Sequence, residues 1–238
     1  MTYQSCFERK EIKYLLTPAQ YAAVAEAVEE NCEWDKFPTS TVTSLYYDTP
    51  TNLLIRRSIE APAYKEKLRV RVYGKANADS TAYVELKKKY EGVVYKRRTG
   101  LPVPEAAAWL RGEIQNRPGR IEEEIEQFMR FYGDLAPAML IACERDSFLS
   151  ERDCNFRVTF DRGIRFRTVD LSLLSGSYGE MLLHPGYVLM EAKAPGMLPG
   201  WFIKALSENC VRKTSFSKYG TAYKKRLTQT MLGGKKYA

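Results

Sequence analysis

The chain repeatedly alternates apolar residues with charged ones at a period of two. In KEKLRVRVYG, Leu68 and Val70 alternate with Lys67, Arg69 and Arg71. Successive side chains of a β-strand point to opposite faces, so this pattern predicts a strand with one apolar face and one cationic face. The same alternation recurs in YVELKKK, VVYKRR, FRVTFD and VLMEAK. The sequence therefore predicts several strands that share a largely basic surface.

Helical patterns lie between these strands. Thr17-Pro18-Ala19-Gln20 supplies an N-cap, a proline in the first turn and a capping-box glutamine, which predicts a helix from residue 18. Further helices are predicted over 104–110, 121–132, 199–209 and 218–231, with Gly133 ending the second of these. Strands are predicted over 7–16, 41–49, 138–148, 156–167 and 187–193, besides three strands between residues 65 and 100. About eight strands with interspersed helices predict an α+β fold built on an antiparallel barrel.

The basic strand face has two possible explanations. A single charged face is usually the solvated side of an antiparallel sheet. Like charges on adjacent strands repel, however, so agreement among several strands favours a bound anion. Carboxylates on the same face are outnumbered; they are Glu11, Glu85, Asp161 and Glu191. Arginine pairs with phosphate oxygens through two parallel hydrogen bonds, so we expect a phosphate-rich ligand.

Composition narrows the class of protein. The 238 residues are 45% apolar and lack a Pro/Gly/Ser-rich linker, which predicts one domain over residues 1–238. The net charge of +8 indicates acidic partners such as nucleic acid, phosphate chains or an anionic membrane. The five cysteines form no C-x-x-C pair, and no apolar run is typical of a signal peptide or a membrane span. We therefore expect a soluble, cytoplasmic protein.

The order of short motifs along the chain resembles a known family. The motifs are EIKYLL, SLYYDTP, LRVRVYG, VELKKK, YKRR, ERDSF, RVTFD, LMEAK and SFSKY. Together they resemble the VTC domain, the catalytic domain of the vacuolar transporter chaperone polyphosphate polymerases, which belongs to the triphosphate tunnel metalloenzymes. The resemblance covers roughly residues 7–224. It implies a closed barrel of eight antiparallel strands around a tunnel, which Lys and Arg line for a triphosphate and Glu lines for a divalent metal.

The resemblance and the basic face together nominate site residues. The expected catalytic phosphate ligands are Lys13, Arg69, Arg71, Lys87, Lys96, Arg145, Arg157 and Lys218. Further substrate-binding residues are expected at Arg9, Lys67, Arg98, Lys193 and Ser217. Glu191 is the expected ligand of Mn²⁺ or Mg²⁺, with Glu11 and Glu85 as helpers. A salt bridge from Glu191 to Lys193 or to a neighbouring arginine is the alternative for that carboxylate.

The chemistry follows from this inventory. Phosphoryl transfer is catalysed largely by positioning and by stabilising charge on the transferring oxygens, and a phosphate acceptor needs no general base. The single histidine, His184, is expected in a loop. The sequence therefore favours a phosphotransferase that adds the γ-phosphate of ATP to inorganic polyphosphate.

Two other functions stay open. The first is a metal-dependent triphosphatase or polyphosphatase, which is disfavoured because Arg9 replaces the first carboxylate of the superfamily's E-x-E-x-K motif. The second is a binding module for polyphosphate or nucleotide. Nucleic acid is not expected as a partner, because the chain has no ribonucleoprotein-type aromatic motif, whereas a membrane partner is possible. Strand aromatics are mostly packing residues, and that role is expected for Tyr46, Tyr47, Tyr73 and Tyr83.

Overall fold

A computed structural model describes residues 10–60, 63–91, 93–115 and 117–234. Its strands are β1 (Lys10–Leu16), β2 (Glu33–Asp48), β3 (Tyr64–Tyr73), β4 (Thr81–Tyr90), β5 (Val93–Pro102), β6 (Ala136–Ser150), β7 (Phe156–Arg167), β8 (Glu180–Met181), β9 (Val188–Ala194) and β10 (Lys213–Thr214). Its α-helices are α1 (Pro18–Asn31), α2 (Leu53–Glu60), α3 (Val103–Leu110), α4 (Arg120–Tyr132), α5 (Gly200–Glu208) and α6 (Lys218–Gly234). A short 3₁₀ helix spans Leu173–Ser175.

Most predicted elements are confirmed. Helix α1 begins with the predicted capping box, in which Thr17 accepts a hydrogen bond from the Gln20 backbone and the Gln20 side chain accepts one from the Thr17 backbone. Helix α4 ends at Gly133, whose φ of 68° lies in the left-handed region that glycine adopts without strain. His184 lies in a loop, as expected. None of the helices described is both long enough and apolar enough to cross a membrane.

The prediction of a closed eight-stranded barrel is wrong in count and in closure. Ten strands form one sheet with the order β10-β1-β9-β7-β6-β2-β3-β4-β5, and β8 pairs with β7. Among the residues described, no pairing joins β10 to β5. The additional strands, β8 and β10, are two residues long, which is too short for an alternating pattern to be detected. The antiparallel α+β class is confirmed.

The chain divides into two compact units. Unit 1 comprises the described residues up to Ser40, together with Cys143–Ile164 and Leu183–Phe216. Its core is formed by apolar side chains of α1, β7, β9 and α5, including Val24, Phe160, Met190 and Phe202. Strand β9 pairs antiparallel with β1 and with β7. The polar side chains of these three strands therefore lie on the sheet face opposite this core.

Unit 2 comprises Thr41–Ala142, Arg165–Leu182 and the described residues from Ser217 onward. Leu68 of β3 and Val84 of β4 pack with Trp109 of α3 and with Phe128 of α4 in its core. Strand β4 pairs antiparallel with β3 on one side and with β5 on the other. Because the apolar residues of these strands face the helices, the alternating basic residues share the opposite face.

Helix α2, which the sequence analysis did not predict, is capped by the carboxylate of Asp48. Asp48 Oδ1 accepts a hydrogen bond from Leu54 N at 2.9 Å, and Oδ2 accepts one from Ile55 N at 3.0 Å. The Tyr219 hydroxyl of α6 also donates to Oδ2, at 2.8 Å. Asp48 is buried. It therefore satisfies the orphan donors of one helix and anchors the first turn of another.

We expect Asp48→Ala to lower the free energy of unfolding by about 3 kcal/mol, because it leaves several buried donors without an acceptor. Urea denaturation would measure the change. The matched control, Asp79→Ala, removes an exposed carboxylate from a turn and should change the value by less than about 0.5 kcal/mol. Equal effects of the two substitutions would refute the anchoring role.

Candidate functional site

Strands β3, β4 and β5 present a row of charged side chains, here termed the unit 2 basic face. Its members are Lys67, Arg69, Arg71, Glu85, Lys87, Lys96 and Arg98. The strand register aligns them in rungs: Lys67 lies opposite Lys87, which lies opposite Lys96 on the next strand. The rung places three like charges on adjacent strands, where they repel one another. Six predicted phosphate-binding residues therefore share one face of unit 2.

Glu85 is the only carboxylate on the unit 2 basic face among the residues described, and it is fully buried. Its Oε2 lies 2.7 Å from Arg69 Nε, and its Oε1 lies 2.7 Å from Lys96 Nζ and 2.6 Å from Arg98 Nη2. Burial by itself would raise the pKa of the Glu85 carboxyl. Attraction to Arg69, Arg71 and Lys96 outweighs it, so this pKa lies well below its usual range. Glu85 is thus a counter-charge that holds three cations together.

The first turn of α6 adjoins this face. Lys67 Nζ donates a hydrogen bond to Ser217 Oγ at 3.1 Å, and Ser217 Oγ also accepts one from Gly220 N at 3.3 Å. Lys218 is the first residue of the 17-residue helix. Free backbone N–H groups and the helix dipole make such a terminus favourable for anions. Ser217 and Lys218, both predicted from the FSKY motif, therefore belong with the unit 2 basic face.

Three tyrosines contact the arginines of the unit 2 basic face. Arg69 Nη1 donates to the Tyr46 hydroxyl at 3.2 Å, and Arg98 Nη2 donates to the Tyr73 hydroxyl at 2.7 Å. The Arg98 guanidinium also lies 4.3 Å from the ring centroid of Tyr83. The prediction of a packing role is incomplete for these residues, because the same side chains orient the guanidinium groups. Tyr47, on the opposite side of β2, does lie in the core.

Tyr46 has an unusual acidity. Burial alone would raise the pKa of its phenol, but Arg69, Arg71 and Lys67 lower it to about 8. Its ring stacks on Tyr219, with 4.6 Å between centroids. The pKa of Tyr73 is also lowered, since Arg71 and Arg98 outweigh the effect of burial. The lowered pKa values of the two phenols therefore reflect the positive potential of the unit 2 basic face.

Unit 1 carries a second group of predicted residues, here termed the unit 1 charged face. Its members are Glu11, Lys13, Arg145, Arg157, Thr159, Asp161, Glu191 and Lys193. Lys13 Nζ lies 3.4 Å from Glu191 Oε1 and 3.7 Å from Glu11 Oε1, while Lys193 Nζ lies 3.4 Å from Glu191 Oε2. These ion pairs are looser than those of Glu85. Lys193 has a lowered pKa because the effect of burial exceeds the attraction of Glu191 and Glu11.

The arginines of the unit 1 charged face are anchored by carboxylates. Arg145 forms a bidentate pair with Asp161 at 2.6 and 2.7 Å. Although burial opposes its charge, Asp161 raises the pKa of Arg145 well above the usual value. Arg157 Nη2 lies 2.7 Å from Asp35 Oδ2. Unlike the unit 2 basic face, this one has cations and carboxylates in nearly equal number.

The predicted residues therefore fall into two groups, one in each unit. Lys13, Arg145, Arg157, Lys193, Glu11 and Glu191 belong to unit 1, and the others belong to unit 2, except Arg9, which lies outside the described residues. Sequence reasoning missed Asp35, Ser44, Tyr46 and Tyr73 as partners of the arginines. Ser44 accepts a hydrogen bond from Arg71 Nε at 3.0 Å. The alternation of Ser44, Tyr46 and Asp48 along β2 was the available signal.

We expect Glu85→Gln to destabilise the protein by about 3–5 kcal/mol, because three cations lose their shared counter-charge. In the native protein the stabilisation from Glu85 should be complete above the ordinary carboxyl pKa of about 4.3 and should be lost as pH falls towards the lower native pKa. Urea denaturation at pH 7 and at lower pH would measure both effects. Glu208→Gln, at a side chain that is 62% exposed, is the control and should have little effect. A neutral Glu85→Gln result would contradict the counter-charge role.

Tyrosinate absorbance should reveal a phenol that ionises at about pH 8, and Tyr46→Phe should remove this step. Because the native pKa lies below the ordinary value of about 10, the unfolded state holds the proton longer, and stability from Tyr46 should increase as pH rises between the two values. Tyr95→Phe, at an exposed residue of β5, is the matched control and should retain the step. Persistence of the step in Tyr46→Phe would show that another tyrosine is responsible.

Comparison with known proteins identifies a family to which this chain is similar. The model of the VTC domain matches residues 8–227. The chain is also similar to vacuolar transporter chaperone complex subunit 4 of Trypanosoma brucei brucei, at 26% identity over 163 residues. That match covers 56% of this chain and 21% of the relative, so the chain spans about a fifth of the relative's length.

Two solved structures align with most of the chain. A proposed adenylate cyclase from Bacillus halodurans has a TM-score of 0.54 at 12% identity, over 88% of this chain and 95% of that chain. A protein from Pyrococcus horikoshii OT3 has a TM-score of 0.49 at 14% identity, over 91% of this chain and 99% of that chain. At 12% identity the likeness to the Bacillus halodurans protein concerns the fold alone. The family match, in contrast, spans residues of both units, and the chain belongs to the VTC domain family.

Proposed function

We propose that this protein is a metal-dependent polyphosphate polymerase, which transfers the γ-phosphate of ATP to a growing inorganic polyphosphate chain. The observation that carries the proposal is the unit 2 basic face, where six cations share one strand face with a single buried carboxylate, in a member of the VTC domain family. Such an excess of positive charge suits a ligand with several phosphate groups. Family membership favours polyphosphate over other polyanions.

The residues of the unit 2 basic face would bind and orient phosphate groups. Arg69 and Arg98 are held by Glu85 and by phenols, so their guanidinium groups need little reorganisation when an anion binds. Arg71, Lys67, Lys87 and Lys96 extend the same surface, with Ser217 and Lys218 at the start of α6. Fixed cations that stabilise charge on the transferring oxygens can supply much of the catalysis of phosphoryl transfer.

Glu191 and Glu11 are the carboxylates that fit a divalent cation. The described residues contain no cluster of three or more metal-ligating side chains, so substrate phosphate oxygens and water would supply the other ligands. Glu191 and Glu11 share Lys13 through loose ion pairs, whereas the three short ion pairs of Glu85 leave it poorly suited to a metal. We propose Glu191, assisted by Glu11, as the site of Mn²⁺ or Mg²⁺, and we assign Glu85 to the counter-charge role. The metal would neutralise charge on the phosphate oxygens.

Transfer to a phosphate acceptor suits these side chains. A polyphosphate end is already ionised near neutral pH, so no general base is needed to activate it. His184 lies in a loop, where its Nδ1 contacts the Pro185 carbonyl at 3.1 Å, outside both charged faces. Hydrolysis, in contrast, requires a water to be activated. This difference favours the transferase over a triphosphatase or polyphosphatase.

We propose that residues 1–238 act as a single VTC-type domain, because one continuous family match spans residues of both units. ATP and inorganic polyphosphate are the proposed ligands, and nucleic acid is not expected. The relative in Trypanosoma brucei brucei is named as a complex subunit, which supports a protein partner, including one in a membrane. The cytoplasmic location stays a prediction.

The proposal is tested by incubating the purified protein with ATP and Mn²⁺ and separating the products on a gel that resolves long phosphate chains from orthophosphate. We expect long chains together with ADP. Orthophosphate without chains would indicate the hydrolase instead of the polymerase. Unchanged ATP that still protects the protein against heat would indicate a binding module.

Variants should separate binding from turnover. Arg71→Ala removes a cation whose Nε donates to Ser44, and it should weaken binding of tripolyphosphate by about 10-fold to 100-fold in titration calorimetry. Glu191→Gln should reduce turnover more than binding, because a metal ligand acts on the reacting phosphate. Lys204→Ala, at a side chain that is 74% exposed on α5, is the charge-matched control and should preserve both quantities. Equal losses in Arg71→Ala and Lys204→Ala would refute the role of the unit 2 basic face.

A further inference from the structure

Two buried polar atoms of β7 have no hydrogen-bond partner among the residues that the structure describes. They are Arg157 Nε and Thr159 Oγ1, and both belong to the unit 1 charged face. Thr159 is almost completely buried, with 1% of its surface exposed. Leaving a buried polar group unsatisfied is energetically unfavourable, so such groups are uncommon in folded proteins. Two of them, two residues apart on one strand face, indicate a common missing partner.

The strand register shows what surrounds these atoms. Thr159 pairs with Glu191 on β9, and Glu191 pairs with Lys13 on β1. Arg157 pairs with Lys193 in the next rung. Thr159 therefore occupies the same rung as the proposed metal ligand and Lys13, with Arg157 and Lys193 in the next rung. No hydrogen bond joins its hydroxyl to Glu191, although the two residues lie directly opposite each other.

The chemistry of the two orphan groups identifies the missing partner as an acceptor. A guanidinium N–H can only donate, and a threonine hydroxyl can donate equally well. The Nη2 atom of the Arg157 guanidinium pairs with Asp35, and this ion pair fixes the direction of the Nε–H group. A cation cannot satisfy a donor, whereas a phosphate oxygen satisfies both groups. A polyphosphate offers several such oxygens along its length.

We infer that Thr159 is a substrate-binding residue, whose hydroxyl donates a hydrogen bond to a phosphate oxygen alongside Arg157 Nε. This inference rests on the proposed function and adds to it a residue that neither the family resemblance nor the charge pattern nominated. It also gives a neutral side chain a place among charged ligands: the hydroxyl adds a directed donor without adding to the repulsion between Arg157 and Lys193.

The test compares Thr159→Val with the wild-type protein in two measurements. Valine has the same shape but no hydroxyl, so the ligand-free variant should melt about 2–4 °C higher, because a buried unsatisfied group is removed. Its affinity for tripolyphosphate, measured by titration calorimetry, should fall by about tenfold. Thr159→Ser retains the hydroxyl and should bind nearly as well as the wild type. A stability gain combined with an affinity loss is the signature of a hydroxyl that is reserved for a ligand.

Thr39→Val is the matched control. The Thr39 hydroxyl donates to Asp146 Oδ1 at 3.0 Å, so the same substitution removes a satisfied group. This variant should melt at a lower temperature and bind tripolyphosphate normally. If Thr159→Val melts lower, or binds as tightly as the wild type, the inference is wrong. If the wild type itself binds no tripolyphosphate, the proposed function fails first, and the melting temperature still reports on whether the hydroxyl is unsatisfied.

Discussion

The contact between Glu85 and its three cations is the interaction on which the unit 2 basic face depends. Burying one carboxylate beneath Arg69, Lys96 and Arg98 would be unfavourable without them, and the cations would repel one another without it. The pairing removes only part of the positive charge. What remains is a surface with excess positive charge whose arginines Glu85 holds in place, so the anion binding proposed above would require little rearrangement of these side chains.

The two faces differ in electrostatic character. The unit 2 basic face has a large excess of cations, which lowers the pKa of Tyr46 to about 8. In the unit 1 charged face, carboxylates nearly balance the cations, and Arg145 forms a bidentate ion pair with Asp161. The first arrangement suits a polyanion. The second suits a site where a cation and a phosphate group bind together, because neither needs to overcome a strong field of its own sign.

The alternation of residues along the strands predicted the faces correctly but could not predict distances. It identified which side chains share a surface, so Lys67, Arg69 and Arg71 were found together with Glu85. It could not distinguish a carboxylate that is enclosed by cations from one that is loosely held, and so Glu85 was named as a helper of the metal site at Glu191. The difference depends on burial and on side-chain reach, which only the packed structure supplies. Asp48 caps α2 from five residues before its start, a spacing that local capping rules do not cover.

The pairing of β3, β4 and β5 has a consequence for how this chain tolerates change in length. Inside these strands, one inserted or deleted residue would reverse every following side chain, exposing Leu68 or Leu86 and driving arginines into the core. Electrostatics and apolar burial thus favour the same strand register, and a shifted register is unfavourable for both. Insertions should be tolerated in the connections between strands, whereas the strands themselves should accept substitution but not a change of length.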